Sequence, residues 1–332
     1  MLKKEHTYYY IAETYSSKLP TASVVRKDNE RILGHMGFRP LLFKHTRPGS
    51  LLVKLKRVNE LVKFAFSVEK NAVVVFHFPL LANAYKILLN LLGRRGIKTV
   101  ALIIDIDGLR YTNESLLARE FETLKQFDTI IAHNAAMKNF LSQYISAGKI
   151  HSIEMFDYPV HDFSVERKLS NTVCYAGNFE KALFVNEIGN IQNVYFNLYG
   201  PAFEGKETQH ITYKGIVGSK ELPKQLDGSF GLVWDGNTIN SCDNYLRYNN
   251  PHKLSLYMAA GLPVIVWKES AVAAYVLKNK IGMAVNSLIE LSDAIKNISA
   301  EDYEMMKRNI EPIRKQIIDG GFLKTVIAKV IG

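Results

Sequence analysis

The most informative segment of this sequence reads YNNPHKLSLYMAAGLPVIVW. Asn250 and Pro251 are suited to cap and open a helix, which we predict over residues 252–260, and Gly261 is suited to end it. Lys253 lies in the first turn, where a cation opposes the helix dipole by roughly 0.3–1 kcal/mol. A diphosphate bound to the free amides would make that charge favourable. An ordinary capped helix with a solvated lysine explains the same residues equally well.

Two carboxylates and two histidines form a second group of candidates. Asp105 and Asp107 follow the apolar run TVALII, so we expect them at the end of a buried strand. A carboxylate there is a candidate general base for a hydroxyl group, although the DxD spacing also occurs in metal sites. His77 and His133 lie at the ends of two further predicted strands. A lone histidine is more often structural, so both interpretations stay open for each of them.

Strand-like and helix-like segments alternate in the first half of the chain. We predict strands at residues 7–12, 40–43, 73–78, 99–104 and 129–132, and helices at residues 22–36, 53–68 and 82–92. The pattern restarts with predicted strands at residues 172–175, 194–199, 231–234 and 263–267. Such alternation is typical of parallel sheets that are covered by helices.

We therefore expect an α/β protein with two Rossmann-like domains, whose parallel sheets face each other across a cleft. The polar segment 157–170 predicts the hinge. The domains are predicted at residues 1–156 and 157–312. They are followed by a helical segment at residues 313–332, which we expect to pack back on the first domain.

The composition and the missing motifs exclude several classes of protein. The chain has 332 residues, 47% of them hydrophobic, and a formal net charge of +10, which indicates a folded protein with polyanionic partners. GxGxxG, GxxxxGK[ST], HExxH, CxxC and GxSxG are absent, which argues against dehydrogenases, NTPases, metalloproteases and hydrolases. Basic residues are scattered, so we expect no nucleic-acid partner. Without a signal peptide or a transmembrane segment, we expect a cytoplasmic protein, with contact at the inner membrane face left open.

Several short motifs resemble, in their order along the chain, those of a known family. They are IDIDGLR at 104–110, AHN at 132–134, FDYPV at 156–160, YAGNF at 175–179, GLVWDG at 231–236 and NNPHK at 249–253. The set resembles bacterial galactofuranosyltransferases of the GT-B type, which assemble polysaccharides and O-antigens. More distantly it resembles the glucosyltransferases that extend glycans on serine-rich adhesins. The resemblance covers nearly the whole chain and implies a UDP-sugar held mainly by the second domain.

The resemblance implies a nucleotide-sugar site formed by Gly177, Asn178, Lys181, Tyr213, Trp234, Asp235, Tyr248, Asn249, Asn250 and Lys253. Among these, Asn250 and Lys253 would hold the diphosphate. Tyr213 or Trp234 would stack on the uracil, because an aromatic face suits a base. Asp235 would bind a sugar hydroxyl group. A core position for Trp234 and a simple turn at Asp235 remain alternatives.

Gly177 and Asn178 follow the first predicted strand of the second domain. A glycine there lets the backbone approach a ligand closely. Lys181 would add a second cation. A plain turn explains Gly177 and Asn178 as well.

On the acceptor side, the resemblance implies a general base at Asp105 or Asp107. Arg110 would steady the acceptor or a phosphate, and His77 and His133 are further acceptor-side candidates. Relatives often carry a histidine before the first aspartate, where this chain has Ile104. The resemblance implies no metal cofactor, because cationic side chains and a helix end take the place of the metal.

These features together predict a metal-independent, inverting transfer of a sugar, with galactofuranose as the first choice, from a UDP-sugar to a glycan hydroxyl group. We expect a lipid-linked oligosaccharide as acceptor and peripheral contact with the membrane, and we leave a homo-oligomer open. One alternative is a transferase for UDP-glucose or another UDP-hexose that extends adhesin-linked or other glycans. A second is a nucleotide-sugar-binding subunit without catalytic activity.

Overall fold

The computed structural model describes residues 6–14, 21–44, 51–80 and 84–331. The chain divides into two compact units, Met1–Glu154 with Phe322–Gly332, and Met155–Gly321. We call them the N-terminal unit and the C-terminal unit. The chain changes unit between Glu154 and Met155. The boundary that we predicted, between residues 156 and 157, lies two residues further along the chain.

The N-terminal unit is built on a parallel sheet of six strands. The strands are β1 (Tyr8–Thr14), β2 (Arg39–Lys44), β3 (Val73–Phe78), β4 (Lys98–Ile103), β5 (Thr129–Ala132) and β6 (Ile150–Ser152). The helices are α1 (Thr21–His35), α2 (Leu51–Ser67), α3 (Ala84–Arg94), α4 (Asp107–Arg110), α5 (Glu114–Leu124) and α6 (Ala135–Leu141). The strand order is β2-β1-β3-β4-β5-β6, and the order reverses between β1 and β3.

The inner strands of this sheet are apolar because helices cover both of their faces. All six residues of β3 are buried, and β4 is buried after its first residue. The register pairs Phe78 with Ile103, and the amide of Ile104 donates to the carbonyl of Phe78 at 2.8 Å. The carboxyl ends of β3 and β4 are thereby aligned. This alignment brings the residues after Ile103 beside the end of the histidine-containing strand.

The C-terminal unit contains a second parallel sheet of six strands. They are β7 (Thr172–Ala176), β8 (Tyr195–Tyr199), β9 (Ile211–Tyr213), β10 (Phe230–Val233), β11 (Val264–Trp267) and β12 (Gly282–Val285). The helices are α7 (Leu222–Gln225), α8 (His252–Ala259), α9 (Ala273–Asn279), α10 (Leu291–Lys296) and α11 (Ala300–Ile318). The strand order β12-β11-β10-β7-β8-β9, counted from β7, is the order 3-2-1-4-5-6 of dinucleotide-binding Rossmann folds.

The point where this order reverses lies between β7 and β10. In open α/β sheets, ligands bind outside the carboxyl ends of the strands at such a reversal. The sequence segments that follow these two strands begin at Gly177 and Trp234. Both segments belong to motifs that the sequence had already singled out.

The final helix, α12 (Gly321–Ile331), returns to the N-terminal unit, where Lys98 Nζ donates to the carbonyl of Val330 at 2.8 Å. Gly320 breaks the preceding helix with a positive φ of 73°. Residue 313, where we placed the start of the returning segment, lies inside α11 instead. The chain changes unit only at Phe322.

The predicted alternation of strands and helices is confirmed, with three strands added. β6, β9 and β12 have only three or four residues and were not predicted. Each lies at a sheet edge, where a short strand carries too few apolar residues for a recognisable pattern. The start of the predicted helix 82–92 lies outside the described residues, and α3 is described from Ala84.

Candidate active site

The helix that carries Lys253 begins at His252, the first residue of the predicted range 252–260. Its N-cap is Pro251, which has no side-chain capping bond, and the buried Asn250 precedes the cap. The predicted capping role of Asn250 is therefore wrong. The helix end is as predicted, since Gly261 has a φ of 69° and the amides of Gly261 and Leu262 bond back to Met258 and Tyr257.

Lys253 points into a polar cluster at the carboxyl ends of β7 and β10. Its ammonium donates to the hydroxyl of Tyr175 and to the carbonyl of Trp234, each at 3.1 Å, and it forms an ion pair with Asp235. Nζ also lies 4.7 Å from the centroid of the Tyr175 ring. We call these four residues the lysine cluster. The sequence predicted a lysine facing a ligand, whereas here the ammonium is already bonded to three protein acceptors.

Lys253 stays positively charged although only 16% of its side chain is exposed. Burial acts to lower the pKa of Lys253, but the Asp235 carboxylate and Tyr175 outweigh it, so the pKa lies above its ordinary value. Burial raises the pKa of Tyr175 to about 12. At neutral pH Lys253 is therefore an ammonium ion and Tyr175 a neutral phenol.

A glycine and a tyrosine set the position of α8 on the sheet. A Cβ at Gly231 would overlap the ring of Tyr257, so only a glycine lets α8 approach β10 this closely. The Tyr257 hydroxyl accepts the amide hydrogen of Ala176 at 3.0 Å, which ties the helix to the end of β7. The position of Lys253 therefore depends on close packing and not on the helix alone.

The loop after β7 is tightly packed around Gly177. A Cβ there would lie 3.0 Å from the Tyr175 hydroxyl and 3.2 Å from Cε of Lys253. Gly200, with a φ of 138°, packs against the carbonyl of Gly177. Asn178 accepts a hydrogen bond from the amide of Glu180, which is the plain-turn alternative. Lys181 is exposed at the end of that turn.

The two aromatic candidates for base stacking differ in accessibility. Trp234 is 0% exposed and its Nε1 donates to the carbonyl of Thr238 at 3.1 Å, so the stacking role predicted for it is contradicted by its burial in the core. Tyr213 is only partly buried, and its ring stacks on Phe203 with centroids 4.8 Å apart. Tyr213 remains the accessible candidate.

The start of α8 and the segment before it contain buried polar atoms that the described residues leave without a hydrogen-bond partner. These atoms are Oδ1 of Asn249 and Nε2 of His252. Burial and the nearby Lys220 lower the pKa of His252 to about 4, although a backbone hydrogen bond with Asp157 raises it, so the ring is neutral. Orphan polar atoms of this kind suit the polar groups of a ligand. Tyr248, which precedes them, is partly buried.

Sequence reasoning did not identify His252 as a site residue, although this histidine lies within the NNPHK motif. Its ring stacks on Tyr158 with centroids 4.9 Å apart, and the Tyr158 hydroxyl donates to the carbonyl of Ser219 at 2.6 Å. The FDYPV and NNPHK motifs are therefore packed against each other.

In the N-terminal unit, the two aspartates of the DxD motif have different surroundings. Asp105 forms an ion pair with Arg110. Asp107 is the first residue of α4, and burial together with the neighbouring Asp105 raises its pKa, which Arg110 and Arg26 partly oppose. A carboxylate with a raised pKa is the stronger base, so Asp107 is suited to accept a proton, whereas Asp105 is already paired with Arg110.

Glu120 holds the backbone of the second aspartate and was not predicted. Its carboxylate accepts the amide hydrogens of Asp107 at 3.0 Å and Gly108 at 2.8 Å. Burial raises the pKa of Glu120, while the two amide bonds lower it. A Cβ at Gly108 would overlap the backbone of Leu117, so the DG pair in the motif meets a steric requirement of α5.

The histidines lie near these aspartates but are deeply buried. His77 is 4% exposed, and burial together with Arg26 holds its pKa well below the ordinary range. Burial lowers the pKa of His133 to about 4, although Asp105 raises it. Both rings are neutral at pH 7 and are poor bases. Arg26, also missed from sequence, donates to the carbonyl of Pro79 at 2.7 Å.

No group of three or more His, Cys, Asp or Glu side chains in the described ranges is arranged to hold a metal ion. None of the described helices has the length and apolar character needed to cross a bilayer.

Solved structures with the same architecture identify the fold. HepE of Anabaena in complex with UDP and glucose aligns with a TM-score of 0.65 at 12% identity, covering 98% of this chain and 99% of that one. An Escherichia coli structure described as trehalose-6-phosphate bound with UDP-2-fluoro glucose aligns with a TM-score of 0.60 at 8% identity, covering 98% and 99%. Two six-stranded Rossmann-like sheets of this kind are the GT-B fold of glycosyltransferases.

Sequence comparison identifies the family. Models of the N-terminal and C-terminal domains described as "Glucosyltransferase 3-like" match residues 8–155 and 173–330. The beta-1,6-galactofuranosyltransferase WbbI of Escherichia coli (strain K12) is 32% identical over 294 residues, 85% of this chain and 86% of that protein. Glucosyltransferase 3 of Streptococcus gordonii is 28% identical over 236 residues, 69% of this chain and 70% of that protein. The chain belongs to the glucosyltransferase 3-like family and is a glycosyltransferase, as the motifs predicted.

Proposed function

We propose that this enzyme transfers galactofuranose from UDP-galactofuranose to a glycan hydroxyl group during the assembly of a cell-surface polysaccharide. The observation that carries the donor assignment is the lysine cluster at the strand-order reversal of the C-terminal unit. The choice of sugar is supported by the 32% identity to a galactofuranosyltransferase along 85% of the chain. Structural neighbours in complex with UDP support a uridine nucleotide as the carrier.

The diphosphate would bind at the N-terminus of α8, beside Lys253. The first amides of a helix have no partner within the helix and favour an anion. The Lys253 ammonium then exchanges one of its three protein acceptors for a phosphate oxygen. Asp235, held by the same ammonium, is placed to accept a hydrogen bond from a sugar hydroxyl group. Asn249 and His252 offer the two orphan polar atoms to the nucleotide-sugar.

Asp107 is the general base of the proposed reaction. It takes the proton of the acceptor hydroxyl group as that oxygen bonds to the anomeric carbon. The bond between the anomeric carbon and the diphosphate oxygen breaks at the same time, and UDP leaves with the bonding pair. In-line attack inverts the anomeric centre, so an α-linked donor yields a β-linked product. Lys253 stabilises the negative charge that grows on the leaving diphosphate.

No step of this mechanism needs a metal ion, because the positive charge on the leaving group comes from Lys253 and the helix end. We therefore expect full activity in the presence of EDTA. A strict requirement for a divalent cation would return the DxD pair to a metal-binding role.

The acceptor in this proposal is an oligosaccharide on a phosphorylated lipid carrier. The excess of basic residues supports an anionic acceptor. Arg110 is exposed enough to reach it, with 41% of its side chain accessible.

A second candidate is the transfer of glucose from UDP-glucose. It is favoured by the family models and by the 28% identity to the streptococcal glucosyltransferase. A panel of donors that includes UDP-galactofuranose and UDP-glucose, read by mass spectrometry of the product, separates the two. If a hexose is added only from UDP-glucose, the galactofuranose assignment is overturned. If neither donor releases UDP, both assignments are overturned.

A further inference from the structure

The excess positive charge of this protein is confined to one of its two units. The N-terminal unit has 25 basic and 13 acidic residues, a formal net charge of +12. The C-terminal unit has 17 basic and 19 acidic residues, a net charge of −2. A polyanionic surface would therefore attract the N-terminal unit and not its neighbour.

Part of this charge lies beside exposed apolar side chains on helix α2. Leu55 is 57% exposed and Phe66 is 65% exposed. They are eleven residues apart, which places them within about 20° of each other around the helix and about 16 Å apart along it. The partly buried Val62 lies on the same line. The exposed Lys56 and Lys63 flank it at about 80–100°.

Helix α3 extends this surface. Phe43 of β2 packs against both helices, with its ring centroid 4.6 Å from that of Phe64 and 5.5 Å from that of Tyr85. The two helices therefore cover the same face of the sheet. On α3, Ile87 is 41% exposed and Arg94 is exposed.

The two helices meet at their outer surface through an aromatic ring and a guanidinium group. The Arg95 guanidinium lies 5.6 Å from the centroid of the exposed Phe66 ring. An apolar ring and a cation are therefore adjacent on the surface of the two helices. We call Leu55, Lys56, Lys63, Phe66, Ile87 and Arg94 the amphipathic face.

We propose that the amphipathic face docks the enzyme on an anionic lipid bilayer, with Leu55, Phe66 and Ile87 entering the headgroup region and the basic residues contacting lipid phosphates. Exposed leucine and phenylalanine flanked by lysine and arginine is the composition of helices that lie in a membrane interface. Nucleic acid would use the charges but leave the aliphatic side chains without a partner. The proposal does not depend on the sugar or on the catalytic base.

The test is cosedimentation of the full-length protein with vesicles of phosphatidylcholine alone or mixed with phosphatidylglycerol. We expect binding to the anionic vesicles, weakened by salt, and little binding to the neutral ones. The double variant Lys56→Glu/Lys63→Glu should bind about 30-fold or more weakly, because each basic residue contributes about 1 kcal/mol near an anionic surface. Leu55→Ser/Phe66→Ser should lower binding by roughly tenfold or more at unchanged charge.

The matched control is Leu277→Ser/Lys278→Glu on α9 of the C-terminal unit, where Leu277 is 51% exposed and Lys278 is exposed. It should bind vesicles like the unchanged protein. Equal binding by all three variants, or equal binding to neutral vesicles, would overturn the proposal. A dimer in sedimentation velocity that Leu55→Ser/Phe66→Ser dissociates would instead assign the face to a second copy. UDP release with a water-soluble acceptor should be equal in all variants, so a failed docking test leaves the catalytic proposal intact.

Discussion

The proposed functional groups of the two units, Lys253 and Asp107, have opposite charges, and each is opposite in sign to the net charge of its own unit. The C-terminal unit has a net charge of −2, yet its site contains a largely buried ammonium at Lys253. The N-terminal unit has a net charge of +12, yet its site contains the adjacent carboxylates of Asp105 and Asp107. Net charge therefore describes the outer surface of each unit, while the sites depend on a few packed side chains.

The charged groups of the two sites also have different neighbours. Lys253 is bonded to an oppositely charged carboxylate, which stabilises its charged form. Asp107 lies beside a like charge and is partly buried, which favours its neutral form and makes it a better base. In the proposed reaction, Lys253 must stay charged to hold an anion, whereas Asp107 must change its protonation state. Their neighbours suit these two different requirements. The predictions below test this contrast.

The largest expected effect is on turnover in the N-terminal site. Asp107→Asn should lower kcat by about 10²–10⁴-fold, the usual contribution of a general base. UDP affinity should stay unchanged, because the residue does not hold the donor. Asp105→Asn is the matched control and should lose less. If Asp105→Asn is inactive while Asp107→Asn retains full activity, the assignment of the base is reversed.

The second effect is on donor binding in the C-terminal site. Lys253→Ala should weaken UDP binding by about 1.5–3 kcal/mol, the range for hydrogen bonds to charged groups, as measured by isothermal titration calorimetry. Lys181→Ala removes an exposed cation from the nearby turn and should have a smaller effect. Thermal unfolding of both variants checks that the fold is retained. Unchanged affinity in Lys253→Ala would remove the lysine from the diphosphate site.

A third, smaller effect concerns the glycines that position each site. Gly108→Ala and Gly231→Ala should each lower the free energy of unfolding by about 1–3 kcal/mol, because the new methyl group overlaps Leu117 or Tyr257. Gly93→Ala is the control, since no atom lies within 4 Å of its added Cβ. Within α3 it should raise stability by up to about 1 kcal/mol. Urea unfolding that ranks Gly93→Ala with the other two would contradict the packing argument.

The smallest effect is a shift in pH dependence. Activity should fall as the pH drops through the raised pKa of Asp107, because the protonated carboxyl group cannot accept a proton. Asp105→Asn removes a neighbouring negative charge and should move this acid limb to lower pH. Arg110→Ala removes a cation that lowers the pKa and should move it to higher pH. Acid limbs of kcat/KM that coincide in both variants and the unchanged enzyme would indicate that another group titrates.

Much of the fold was accessible from sequence because it depends on neighbours in the chain. The buried run VVVFHF, the turn at Gly261 and the strand–helix alternation are local patterns, and each is confirmed. The short strands β6, β9 and β12 were missed because they lie at sheet edges, where pairing with a neighbouring strand and not apolar content decides the structure.

The site residues depended more strongly on tertiary structure. The sequence by itself determined the family motifs, the helix that carries Lys253 and the strand ends from which the candidate residues project. Only the folded structure decided that Lys253 contacts Asp235 and Tyr175, which are 18 and 78 residues away in the chain. The same holds for the burial of Trp234 and for the different surroundings of Asp105 and Asp107. The hydrophobic periodicity of a sequence indicates on which face of its own helix or strand a residue lies. Charge pairing and burial depend instead on distant residues that folding brings together.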